Sequence, residues 1–521
     1  MHGTPDSERV RTAEVIASSC LATDLGMGFP FEHGLHATLI ARRLADLLQV
    51  DNETATQTYY VCLLTYSGCT TDADIAIRIY GGDQREHITP VQFGSMPELL
   101  GGVIRALPPP SESQIGRIAQ ISRRLPQVAR FIKPHFTARC DVAEMMAERL
   151  GLPTSIQEQF AYLTERWDGR GVLGRARGEE IPLPIRINSI ARDAAYQQLV
   201  GGFDHAVEVV TERAGHAFDP EIAAAFAAEA SSILALPEGS AWDPVLEAEP
   251  RPWLTLAEHQ FDRGISGMGD FADLVSPYQV GHSERVAALA ADAAERSGFD
   301  QTERRVVRRA AHLHDLGRVA IHPRIWQKPA PLSPAEWEHV RLHSYHTGRI
   351  LSRSSVLQAF AGPASAHHER LDGSGYHREI GGAALSRTAR LIAAADAFSA
   401  MTEPRPHRAA LTPDQAADHL VSGAAAGKFD PDAVRAVVEA AGRPTPEVER
   451  PAGLTDRESE ILGLVARGLQ TKQIARRLDI STKTADGHIQ HAYRKIGVST
   501  RAAATLFAME HGLVSREDLS S

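Results

Sequence analysis

The 521-residue chain repeats itself, and a helical pattern written twice is the strictest constraint on what it can fold into. ERWDGRGVLGRARGEEIPLPIRI (165–187) and ERLDGSGYHREIGGAALSRTARL (369–391) share an E-R-x-D-G-x-G core. AFDPEIAAAF (217–226) answers KFDPDAVRAV (428–437), and HATLIARRLADLLQV, from His36, echoes HSERVAALAADAAERSG, from His282. Apolar residues recur at three- and four-residue steps through these stretches, which is the spacing of one helix face. Sustained period-2 alternation is nearly absent. The expected fold class is therefore all-α, built from two tandem helical bundles of one type.

Composition limits the setting. A hydrophobic fraction of 43% with 23% charged residues fits a soluble globular chain with real cores, and the length suggests about three domains. A net charge of −10 excludes a chain that coats nucleic acid along its whole length, so any DNA contact must be local. Cys20, Cys62, Cys69 and Cys140 form no CxxC pair and read as buried thiols of a reducing compartment. The N-terminal MHGTPDSERVRTAEV lacks the apolar stretch of a signal peptide, and no membrane-length apolar run appears. A cytoplasmic protein without membrane contact is expected.

The two copies differ at chemistry-bearing positions. The second contains His282, His314-Asp315, His343, His367-His368 and Asp396, in order over about 115 residues. In the first, Thr65-Tyr66 replaces His314-Asp315, Leu163-Thr164 replaces His367-His368, and Arg192 replaces Asp396. The first copy is thus read as degenerate, its packing kept and its ligands lost. Imidazole and carboxylate without thiolate suit Fe, Mn, Zn or Ni. One such histidine alone is an ordinary helix-face residue, as His339 and His346 are read to be; the ordered set of seven is not. Seven groups suffice for two divalent ions bridged by Asp315. Paired ions lower the pKa of a shared water and offset charge on phosphate oxygens. The residues therefore point to a phosphohydrolase or phosphodiesterase.

HDLGRVAIHPRIWQKPAPLSPAEWEHVRLH, HHERLDGSGYH and ARLIAAADAFSAMT together resemble the HD-GYP subgroup of the HD superfamily, over roughly residues 270–440. The resemblance implies an all-α bundle with a metal centre, two divalent ions (Fe or Mn), and hydrolysis of cyclic di-GMP. By position it implies that His282, His314, Asp315 and Asp396 hold one metal, and Asp315, His343, His367 and His368 the other. Asp315 and Arg318 would be the catalytic pair. Arg318, Gly373, Ser374, Gly375 and Tyr376 would frame the substrate, the glycines allowing close backbone approach to phosphate. The sequence departs from the pattern at Arg318 (usually Lys), His377 (usually Pro) and Tyr278, where some members place a glutamate for a third metal.

Past a Pro-rich break, LTDRESEILGLVARG opens with Thr455 and Glu458 at capping-box spacing. TKQIARRL, the turn Asp479-Ile480-Ser481 and STKTADGHIQHAYRKIG follow, which is a helix-turn-helix order. Residues 454–511 resemble the LuxR-type DNA-binding domain of four helices. That implies Lys483, Thr484 and His488 in the groove, Lys472, Arg494 and Lys495 on the backbone, and a homodimer. Asp486 and Gly487 stand where basic or polar residues are common.

The expected organisation is a degenerate HD-GYP-like domain (1–240), a linker (241–265), an HD-GYP domain with the metal site (266–441), a linker (442–453) and the LuxR-type domain (454–521). Composition breaks at 237–253 and 442–453 mark the joins. The expected function is a bacterial transcriptional regulator with a metal-dependent phosphodiesterase domain, with DNA and a cyclic dinucleotide as partners. Two alternatives remain: a metal- or nucleotide-sensing transcription factor without turnover, and a hydrolase of another phosphate ester.

Overall fold

The computed structural model describes residues 9–70, 88–94, 96–108, 113–443, 450–511 and 513–514. The chain forms two compact units. The first comprises Met1–Gln279 with Val319–Gln327 and Arg353–Leu357; the second comprises Val280–Arg318, Lys328–Ser352 and Gln358–Ser521.

In the first unit, α1 (Thr12–Met27), α2 (His33–Leu47) and α3 (Asn52–Leu64) precede α4 (Met96–Ala106), the long α5 (Gln114–Arg149), α6 (Leu183–Glu212) and α7 (Pro220–Ala228). The apolar face of α2 meets α6 and α7 in one core that includes Ile40, Leu44, Ile187, Ile190, Phe218 and Phe226. The segment expected to be a linker, 241–265, is instead ordered. It contains α8 (Trp242–Glu247), a strand and the start of α9 (Glu258–Asp273). The strand Thr255–Leu256 pairs antiparallel with Val10–Arg11, and buried Glu249 accepts from Arg11 and from the Tyr60 hydroxyl. Its Pro and acidic content reads as solvated chain, but one of those carboxylates, Glu249, is a buried acceptor.

The second unit opens with α10 (His282–Arg296) and α11 (Gln301–Leu313), followed by α12 (Pro334–Leu351), α13 (Gln358–Ser365), α14 (Arg387–Thr402), α15 (Pro413–Ala425) and α16 (Pro431–Ala440). Helix α10 packs on α11, α14 and α16 through Val286, Ala287, Ala290 and Ala294. Small alanines let the helix axes approach closely, bringing side chains from four helices to one interior point.

The two copies start alike. Asp51 caps α3 by accepting from Thr54 N, and Asp300 caps α11 by accepting from Glu303 N. Each counterpart of α10 begins just after a left-handed residue: Glu32 (φ 77°) before His33, and Gly281 (φ 76°) before His282. His33, not His36, therefore stands at the His282 position, which corrects the sequence pairing by one helical turn. Similarity of polar residues along α2 cannot set register there; the αL cap does.

Four short helices close the chain: α17 (Asp456–Ala466), α18 (Thr471–Arg477), α19 (Thr482–Lys495) and α20 (Arg501–Glu510). Thr455 and Glu458 form the expected reciprocal cap. Ile461, Val465, Ile474, Ala485 and Ile489 form the core that sets α18 against α19. Much of the expected linker 442–453 lies outside the described residues, but buried Arg450 pairs with Asp432 of α16 and Asp456 of α17, at 2.6 and 2.8 Å. Cys20, Cys62 and Cys140 are buried thiols outside any disulfide among the described residues; the Cys69 side chain lies outside the described residues. Among the described residues, no helix is long and apolar enough to cross a membrane.

Candidate metal centre

The site is built on a turn that ends α11. His314 and Asp315 leave the helix there, and Gly317 lets the turn press against α12: a Cβ on Gly317 would lie 2.0 Å from the His343 carbonyl oxygen. Thr347 locks the contact, donating to the His314 carbonyl (3.0 Å) and accepting from Gly317 N (2.9 Å). The glycine of HDLG thus brings His343 to the His314-Asp315 pair.

Asp315 lies between two groups of ligand atoms. Its Oδ2 is 2.8 Å from His314 Nε2 and 3.5 Å from His282 Nε2. Its Oδ1 is 3.4 Å from both His343 Nε2 and His367 Nε2. Asp396 Oδ1 joins the first group at 3.1 Å from His282 Nε2, and His368 completes the second. Within each group the ligand atoms all lie within 4.8 Å of one another. His339 is exposed and His346 belongs to neither group.

Four of the five imidazoles are oriented from behind. His314, His343 and His367 present Nδ1 to the carbonyls of Ala311, Val340 and Ala364, the residues three before each, so Nε2 faces the centre. His282 differs: its Nδ1 faces Glu403 at 3.0 Å, and Glu403 also accepts from Arg285 Nε (2.9 Å) and Arg405 Nη2 (3.2 Å). Sequence reading passed over Glu403 and Arg405. A signal existed, since Glu403 follows Asp396 by seven residues, two helical turns along one face.

The electrostatics suit cations. Burial opposes ionisation of Asp315, yet Arg318 and His314 hold its carboxyl well below the usual range. Asp396 is likewise held down against its burial, by His282 and His314. Burial pushes His367 down to about 4, leaving a neutral ring with a lone pair to offer. Burial would also lower His314, but Asp315 drives it up to about 10; a metal at Nε2 requires that proton to leave, so metal affinity rises with pH. His314 Nε2 and both Asp315 oxygens are fully buried without a well-directed hydrogen bond. Buried polar atoms normally have partners, and ligand atoms around a cation are the exception. The donor set therefore fits metal.

The glycine-rich loop covers this centre. Gly373 adopts φ 76°, and a Cβ on Gly375 would lie 2.5 Å from the His368 carbonyl. Glu369 accepts from Arg378 N and Ile380 N, pinning the loop, while Ser374 N donates to Asp372. Tyr376 stacks on His368 with ring centroids 4.7 Å apart. Arg318 is buried, its Nη1 2.7 Å from Asp315 Oδ2.

In the C-terminal domain, Lys472, Lys483, Thr484 and Arg494 are exposed on α18 and α19, and His488 is half-buried. The Thr484 hydroxyl is 2.7 Å from that of Ser481, the α19 cap. Lys495 is tied inward, donating to Glu458 (2.7 Å) and the Gly453 carbonyl (2.8 Å).

A histidine–aspartate helical bundle beside a helix-turn-helix defines a two-part class. Comparison with known proteins gives it names. Residues 268–433 match the HD domain family, and residues 452–508 match the bacterial regulatory proteins of the luxR family. The chain is 28% identical over 411 residues to the 3'3'-cGAMP-specific phosphodiesterase 3 of Vibrio cholerae, covering 78% of this chain and 89% of that protein. It is 40% identical over 129 residues to a cyclic di-GMP phosphodiesterase of Thermotoga maritima, and 37% over 158 residues to the cyclic di-GMP phosphodiesterase response regulator RpfG of Xanthomonas campestris. Those matches span 24% and 30% of this chain, and only 35% and 41% of the relatives' own lengths. The crystal structure of the V. cholerae phosphodiesterase V-cGAP3 shares the fold, with a TM-score of 0.57 at 24% identity over 84% of this chain and 98% of that one. The chain carries an HD domain joined to a LuxR-type domain, and the relatives named above are phosphodiesterases of 3'3'-cGAMP or cyclic di-GMP.

Proposed function

We propose that this protein is a cytoplasmic bacterial transcriptional regulator whose HD domain hydrolyses a phosphodiester bond of a cyclic dinucleotide, cyclic di-GMP or a cyclic GMP-AMP. The observation that carries this reading is Asp315, whose two oxygens face two separate ligand groups. When bound, two divalent ions, Fe or Mn by donor type, supply a hydroxide from shared water and neutralise phosphate charge. The chain's own residues do the rest. His282, His314 and Asp396 hold one side of the centre, and His343, His367 and His368 the other. The Arg318 guanidinium, beside Asp315, presents a fork to a phosphate oxygen. Gly373–Tyr376 shape the rim, with the Tyr376 ring available to a base. Lys472, Lys483, Thr484, His488 and Arg494 contact DNA, and a homodimer reads two half-sites.

The test is metal counting followed by incubation with cyclic di-GMP and with 3'3'-cGAMP under Mn or Fe(II), with Asp315→Ala as control. Linear product from the wild type alone supports the reading. Equal product from both proteins refutes it. Bound metal and nucleotide without product favour a sensor, the role suggested by the Arg318–Asp315 pairing.

A further inference from the structure

The first unit's counterpart of the metal centre is not simply erased; its charge is reversed. His282, His314, Asp315 and Asp396 correspond to His33, Thr65, Tyr66 and Arg192. The contact that carries His343 has a counterpart too: a Cβ on Gly68 would lie 1.8 Å from the Arg139 carbonyl, as one on Gly317 lies 2.0 Å from that of His343. Arginine therefore stands where the second unit has Asp396 and His343, and the counterparts of Asp315 and Asp396 carry no carboxylate. Such a site repels divalent cations.

What remains is a set of buried nitrogen groups without acceptors. Arg192 is 4% exposed, lies 3.9 Å over the Tyr66 ring, and its Nε has no hydrogen-bond partner. His33, also 4% exposed, has an unpartnered Nε2, and Asn188, 1% exposed, an unpartnered Nδ2. Asn188 and Arg192 are one turn apart on α6, on the same face. Phe29 links the rings, 4.6 Å from His33 and 5.1 Å from Tyr66. The Thr65 hydroxyl, at the His314 position, donates to Asn188 Oδ1 at 3.2 Å, which ties Asn188 to the same corner of the unit. Among the described residues no carboxylate pairs with Arg192; adjacent Asp193 is taken by Arg213 and Gln197. A buried cation and two buried donors without acceptors carry a desolvation cost that an acceptor-rich anion removes.

We infer that this centre in the first unit is an oxyanion site that receives a phosphate group, free or carried by a nucleotide, in place of metal. Arg192 supplies the charge, and His33 and Asn188 the flanking donors. The rival occupant of these donors is ordered water, which gives no saturable anion binding.

The test uses the full chain in excess EDTA, so that the second unit holds no metal and turnover plays no part. Inorganic phosphate, a cyclic dinucleotide and its linear product are titrated calorimetrically at constant ionic strength. Saturable binding that persists in EDTA is expected, and the tightest of the three arms identifies the carrier. Arg192→Met and Asn188→Asp should each weaken binding roughly tenfold or more, the size of one charge-assisted hydrogen bond. Absence of saturable binding by the wild type in EDTA, or unchanged affinity in either variant that folds, overturns the inference. Because no arm requires hydrolysis, failure here is distinct from failure of the phosphodiesterase reading.

Discussion

Glu403 faces His282 Nδ1 at 3.0 Å, while the opposite nitrogen of that ring faces Asp396 at 3.1 Å. A carboxylate behind a ligand imidazole fixes its tautomer and strengthens its donation. The other Nε2-facing ligands have only backbone carbonyls behind them. Glu403→Gln keeps the shape and removes the charge. It is expected to weaken metal binding about 10–100-fold, by analogy with other outer-shell partners. Competition with a chelator measures this; an unchanged affinity makes Glu403 only an anchor for Arg285 and Arg405.

Asp315→Asn strikes both ligand groups at once, since each oxygen serves a different one. With the proposed two-ion centre, bound metal should fall from about two ions per chain to below one, because Asp315 would serve both. The same change leaves Arg318 beside an uncharged amide, so thermal stability should also drop, by up to about 3–5 kcal/mol for a broken buried pair. Elemental analysis with circular dichroism separates lost metal from lost fold.

Gly317→Ala needs space occupied by the His343 carbonyl and by Thr347 N, 2.0 and 2.5 Å from the new Cβ. Backbone cannot yield as a side-chain tip does, so a cost of about 1–3 kcal/mol is expected. The turn must also separate from α12. Metal loss should therefore accompany the lowered melting temperature, and full occupancy in the variant would contradict the role assigned to this glycine.

Lys483 and Lys495 should behave differently although both are basic residues of α19. Lys483 is exposed, whereas Lys495 is bound to Glu458 and the Gly453 carbonyl. Lys483→Ala is expected to reduce the slope of log affinity against log salt by about one on operator DNA. Lys495→Ala is expected to lower the melting temperature of the C-terminal domain with a smaller change in slope. Binding insensitive to salt would count against a phosphate-tracking interface altogether.

Burial, with His36 and Arg192 nearby, lowers His33 to about 4 from an ordinary 6.5. A depressed histidine folds neutral, so its contribution is complete above pH 6.5 and is lost as the pH falls towards 4. The first unit should lose up to about 3 kcal/mol across that window, and His33→Gln should flatten the dependence. Urea midpoints at the two ends of the window decide it; parallel curves for both proteins would remove His33 from the account.

Much of this was legible one residue at a time. The three- and four-residue spacing of alanine, leucine and valine in HSERVAALAADAAERSG specifies a helix with one buried face whatever its neighbours are. Thr455 and Glu458 specify a cap, and Asp300 with Glu303 does the same, because those interactions span a single turn. The order and type of the seven imidazoles and carboxyls stood in the chain, and with them the candidate metal ligands. Other features were not local. Residues 241–265 read as solvated linker because nothing in their composition reveals that Glu249 ends buried against Arg11 and Tyr60.

By itself the sequence determined helix type and helix caps, since each rests on contacts between near neighbours in the chain. Only the tertiary structure decided that His33 and not His36 matches His282, that each oxygen of Asp315 faces its own ligand group, and that Glu403 stands behind His282. Those relationships join residues tens to hundreds of positions apart. They are set by how closely alanine-lined helices approach and by one glycine pressed against a carbonyl, which no local pattern encodes.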